Sequence, residues 1–149
     1  PGKSEHQTGL AIDLGLKKES IDFIRPDFPY IGICQQFREK SVPYGFIERY
    51  PREKEHITGI AHEPWHFRYV GTPHAEIMRE HHFCLEEYID FLKRFSQDQP
   101  YTFYKDSQEI QIFYLKADTE SVSLEVAEDG SLSVSGNNVD GYIITEWRG

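Results

Sequence analysis

His6 and Asp13 stand seven positions apart in the stretch SEHQTGLAID, residues 4–13. An imidazole nitrogen and a carboxylate oxygen are two of the donor types that bind zinc, and Gly9 between them permits a tight bend that brings both to one ion. Such a pair alone is common, and its members more often face solvent or cap a turn. A second stretch, His62-Glu63-Pro64-Trp65-His66, sets a carboxylate three residues before another imidazole. Three protein ligands drawn from His and Asp leave a fourth position on tetrahedral zinc for water, the pattern of catalytic and not of closed structural sites. Glu63 is then the natural general base, and the chemistry implied is amide hydrolysis.

The order S-x-H-x-x-G-x-A-x-D followed by E-P-W-H resembles the zinc D,D-peptidases, which include D-alanyl-D-alanine carboxypeptidases and the VanX, VanY and VanXY enzymes of vancomycin resistance. The flanks Tyr44-Gly45-Phe46-Ile47, Arg49-Tyr50-Pro51, Ile57-Thr58-Gly59-Ile60 and Arg68-Tyr69-Val70-Gly71 are similar to that family's running sequence, over residues 1 to about 95. The tail Ser135-Gly136-Asn137-Asn138-Val139-Asp140-Gly141 resembles the end of a VanXY-type enzyme. The resemblance implies zinc held by His6, Asp13 and His66, with Glu63 as base. It implies D-Ala-D-Ala as substrate, either as free dipeptide or at the end of a peptidoglycan stem peptide. Family members also carry an upstream arginine for the oxyanion, whereas Pro1-Gly2-Lys3 here leads straight to the first ligand. The expectation is therefore an N-terminally incomplete chain. Hedgehog signalling domains resemble the same fold and hold zinc without proteolysis, and phage-type endopeptidases cut elsewhere in the stem peptide. Glu63 argues against a pure zinc scaffold, which needs no base.

Around these residues several side chains have two readings each. Ser4 either contacts substrate or caps the bend, and Trp65 either walls a small alanyl pocket or belongs to the core. Arg68, two residues past His66, either replaces the upstream arginine or forms a structural ion pair, the second being favoured. His56, His62, His74, His81 and His82 read as surface or capping residues. Cys34 and Cys84 have no disulfide-like spacing and read as two reduced thiols. That favours the cytoplasm, with the cell envelope as the alternative.

The net charge of −9 and pI near 5.2 argue against nucleic-acid partners and anionic membranes. No apolar run is long enough to span a membrane. The elements that must hold the site read as an α+β fold, an antiparallel sheet flanked by helices with the zinc site at its centre. Strands are expected over 9–14, 46–50, 57–60 and 65–70, with the E-P-W-H corner joining the last two. Helices are expected over 31–40, with Ile33, Cys34 and Phe37 on the apolar face, from Thr72 to about His81, and over 85–95, with one further helical turn at 19–23. After Ser96 the pattern alternates over 101–104, 110–116, 121–126, 131–135 and 142–147, which predicts an antiparallel meander. The division expected is a catalytic part, 1–96, and an accessory meander, 97–149, whose edge strand would permit a homodimer.

Overall fold

The structure, a computed structural model, describes residues 4–117, 121, 124 and 130–148. The chain divides into two compact units, Pro1–Glu86 and Glu87–Gly149.

The first unit is built on a three-stranded antiparallel sheet of β1 (Ala11–Asp13), β2 (Phe46–Glu48) and β3 (His66–Tyr69), in the order β1-β3-β2. Side chains alternate along a strand, so β3 sends His66 and Arg68 to one face and Phe67 to the other. All three are buried, which makes β3 a central strand with one polar and one apolar side. On the apolar side Phe67 packs with Phe28 and Cys34, and Leu14, Leu16, Phe46 and Trp65 close over them. The ring of Phe37 meets Phe67 edge-on at 5.0 Å.

Helix α1 (Gly32–Ser41) starts once Pro26 and Pro29 are past and ends in a short 3-10 turn, Val42–Tyr44. Gly45 then reverses the chain with φ of 86°, and its carbonyl accepts from the amides of both Val70 and Gly71. A Cβ there would lie 2.8 Å from the Gly71 Cα, so only glycine fits. Two further helices follow, α2 (Glu55–Thr58) and α3 (His74–His81).

Three local expectations are corrected. No strand forms over 57–60: Ile57 and Thr58 belong to α2, because the polar turn before them winds directly into a helix that Gly59 stops at φ of 68°. The E-P-W-H corner therefore joins a helix to β3. The turn expected at 19–23 is not helical; the Asp22 side chain accepts from the Ile24 and Arg25 amides, which competes with helical bonding. In α1, Cys34 is buried as expected, but Ile33 is 68% exposed.

In the second unit an antiparallel sheet comprises β4 (Tyr101–Lys105), β5 (Gln108–Lys116), β6 (Ser131–Gly136) and β7 (Gly141–Arg148). Asp106 and Ser107, both at positive φ, make the two-residue turn between β4 and β5. The order among the described residues is β4-β5-β7-β6, so this is not the sequential meander expected. Burial explains it. Ile143, Ile144 and Thr145 of β7 are buried and need neighbours on both sides, whereas β6, with alternating serines, is exposed throughout. The run expected over 121–126 lies outside the described residues apart from Ser121 and Leu124. Helix α4 (Leu85–Leu92), with Tyr88 and Leu92 buried, straddles the division between the units. Among the described residues no helix is long and apolar enough to cross a membrane.

Candidate active site

A 3-10 turn, Glu5–Thr8, opens the site. Ser4 caps it by accepting the His6 amide, and Gly9 closes it at φ of 73°. The geometry of Ser4 is thus that of the cap. The chain then enters β1, whose last residue, Asp13, is paired across the ladder with His66 at the start of β3. Glu63 is fixed beside them by backbone bonds on both sides. Its amide donates to the Tyr50 carbonyl at 3.2 Å, and its carbonyl accepts from the His66 amide at 3.1 Å.

These elements bring His6, Asp13 and His66 together, with one donor atom from each lying within 4.8 Å of the other two. Asp13 Oδ1 is 3.0 Å from His66 Nδ1 and 3.4 Å from His6 Nε2. Glu63 Oε2 is 3.5 Å from the same Nδ1. Burial, followed by the nearby Asp13 charge, pushes the Glu63 carboxyl upward, against the pull of His66. That is the direction that makes a carboxylate a better base.

The rear of His66 is held by a residue that the sequence did not single out. His66 Nε2 is 2.6 Å from Glu5 Oε1, and Arg68 donates to Glu5 Oε2 at 2.6 Å. Arg49 Nε lies 3.5 Å from that oxygen, while the two terminal nitrogens of Arg49 donate bidentately to Glu86 at 2.6 and 2.9 Å. Burial alone would raise the Glu5 carboxyl. The hydrogen bonds from His66 and Arg68 and the Arg49 charge outweigh it and hold Glu5 at about 2. Arg68 therefore has the geometry of a structural ion pair. Two arginines in or beside short apolar strands were the available sequence signal, since buried guanidinium groups require carboxylate partners.

With Nε2 beside Glu5, His66 turns Nδ1 toward Asp13 Oδ1 at 3.0 Å, and His6 Nε2 lies 3.4 Å from the same oxygen. Two imidazoles and one carboxylate are a donor set that suits zinc, with a position left for water. Among the described residues this is the cluster whose geometry fits a metal ion.

Trp65 both closes over the Phe67 core and, with Tyr30, Arg25, Arg52, His62 and Glu63, lines a cleft of about 630 Å³. His62 faces Tyr30, whose hydroxyl lies 2.7 Å from its Nε2.

Residues 1–72 match the sequence model of the VanY family, described as D-alanyl-D-alanine carboxypeptidase. A D-alanyl-D-alanine carboxypeptidase of Enterococcus faecium is 38% identical over 148 residues, which is 99% of this chain and 45% of that protein. The bifunctional D-Ala-D-Ala dipeptidase and carboxypeptidase VanXYC of Enterococcus gallinarum is 54% identical over 93 residues, 62% of this chain and 49% of the relative. Among solved structures, that of the vancomycin-resistance D,D-dipeptidase VanXYg, in complex with a D-Ala-D-Ala phosphinate analog, superposes with a TM-score of 0.95 at 55% identity. It covers 99% of this chain and 59% of VanXYg. The chain is thus similar to D,D-peptidases, over its N-terminal half to the VanY family model and over nearly its whole length to VanXYg. Likeness to VanXYg takes in the C-terminal unit, beyond the stretch to residue 95 that the motifs alone mark. The chain spans about half the length of these two curated relatives.

Proposed function

We propose that this protein is a zinc-dependent D,D-peptidase that hydrolyses the bond between two D-alanines, in the free dipeptide or at the C-terminus of a peptidoglycan stem peptide. The observation that carries the reading is Glu63 Oε2 standing 3.5 Å from His66 Nδ1, on the rim of the His6, Asp13 and His66 cluster. The names of the relatives, a carboxypeptidase and a dipeptidase acting on D-Ala-D-Ala, support the substrate class. His6, Asp13 and His66 would hold the zinc. When bound, it would polarise the scissile carbonyl and bring the pKa of a water near it to about 7. Glu63 takes the proton of the attacking water and returns it to the departing D-alanine amine. Its backbone bonds to Tyr50 and His66 hold it beside the cluster and keep that path short. The Trp65 ring, in the cleft that Glu63 also lines, offers an apolar surface for an alanyl methyl.

Catalysis is assigned to residues 1–96 and an accessory role to 97–149, since every residue named here precedes Gly71. The biological role follows from the substrate: removing D-Ala-D-Ala removes the target of glycopeptide antibiotics, and cytoplasmic hydrolysis suits the two buried thiols, Cys34 and Cys84. The test is D-alanine release by the zinc-loaded full-length protein from D-Ala-D-Ala and from a stem pentapeptide. Release from either, absent with L-Ala-L-Ala, is expected. Full zinc occupancy with no release from either substrate would overturn the reading.

A further inference from the structure

The short turn that carries His6 carries Glu5 as well, and the two side chains reach opposite nitrogens' surroundings on one imidazole. His6 joins the cluster on the Nδ1 side of His66, while Glu5 accepts behind it at Nε2, 2.6 Å away. Both oxygens of Glu5 are engaged, Oε1 by His66 and Oε2 by Arg68, so Glu5 is turned away from the cluster. The clamp is itself anchored. Arg68 extends from the same face of β3 as His66, and Arg49, beside Glu5, is locked by the bidentate pair with Glu86 and lies over the Tyr50 ring at 4.6 Å. That ring in turn lies 5.0 Å from the ring of His66.

An imidazole can present either nitrogen, and which one is free is set by the hydrogen bond the other makes. We propose that Glu5 is a positioning residue that fixes His66 as the Nε2–H tautomer and aims Nδ1 at the metal, so that the Glu5–His66 hydrogen bond sets zinc affinity. The proposal rests on the zinc reading above, and its tautomer part stands without it. Carboxylates behind metal-bound histidines also raise ligand basicity, and their removal lowers metal affinity by roughly 10–100-fold.

The experiment compares wild type, Glu5→Gln and Glu5→Ala in the full-length protein by two readouts. Chelator competition gives the zinc Kd, and ring ¹⁵N shifts give the His66 tautomer in metal-free protein at alkaline pH. The amide oxygen of Gln still accepts from Nε2–H but forms no ion pair with Arg68. Expected are a zinc affinity roughly 10–100-fold lower in Glu5→Ala, a much smaller loss in Glu5→Gln, and an Nε2–H tautomer in wild type that becomes mixed only in Glu5→Ala. Equal losses in the two variants would overturn the proposal and leave Glu5 as part of an ion-pair network alone. So would an unchanged tautomer in Glu5→Ala. If wild type bound no zinc, the zinc reading and the affinity part would fail together, and the shifts would still decide whether Glu5 sets the tautomer.

Discussion

Asp13 and His66 face each other across the β1–β3 pair with Oδ1 3.0 Å from Nδ1, so the ladder that makes the sheet also sets the spacing of two residues of the candidate metal cluster. A one-residue slip of β1 would turn Asp13 to the opposite face and dismantle the cluster. The site is therefore as stable as the sheet register, and the residues that pin that register matter to function.

Replacing His6, Asp13 or His66 singly by Ala should reduce zinc affinity by more than the roughly 10–100-fold attributable to outer partners, because each change removes a donor and not its support. His66→Ala should also lower thermal stability, since His66 is 4% exposed and its loss leaves a buried void. Isothermal titration with zinc, together with melting curves, checks both. Unchanged zinc affinity in any one variant removes that residue from the ligand set.

His74, expected at the surface or in a cap, is instead packed in, and burial holds it neutral with its pKa lowered to about 4. An unfolded histidine titrates near 6.5, so on acidification the unfolded state takes up this proton first. The contribution is fully present above about pH 6.5 and is lost between 6.5 and 4, amounting to about 3 kcal/mol at most. Urea unfolding of wild type and His74→Gln at pH 7.5, 5.5 and 4.5 should show a shallower decline in the variant. Parallel declines would mean that His74 does not govern acid sensitivity.

Gly45→Ala should destabilise the first unit by about 2 kcal/mol or more, because φ of 86° strains any L side chain and the added Cβ meets the Gly71 backbone at 2.8 Å. The turn it deforms ties β2 to the end of β3. A melting temperature within error of wild type would show that the backbone relaxes freely there.

The clustering of the candidate site residues was more legible in sequence than the fold around them. His6, Asp13, Glu63 and His66 stand out because their chemistry depends on residue type and order, which a linear text preserves. Glu5 did not, because its role depends on which buried arginines it meets, 44 and 63 positions away. The 57–60 error has a local cause: Ile57 and Thr58 are β-branched and read as strand, yet the turn preceding them commits the chain to a helix that Gly59 ends. The order of the C-terminal sheet was illegible for another reason. Alternation marks β6 and β7 equally as strands, and only the burial of Ile143 and Ile144 shows which must lie inside.

Central to the account is that Glu63 moves the proton at a zinc site formed by His6, Asp13 and His66. Glu63→Gln keeps the shape of the side chain and removes the base. The deciding measurement is D-alanine release from D-Ala-D-Ala by wild type and Glu63→Gln, both full-length and loaded to equal zinc content by metal analysis. The account predicts that kcat falls by about 10²–10⁴-fold in the variant with KM little changed. Near-wild-type turnover by zinc-loaded Glu63→Gln would contradict it.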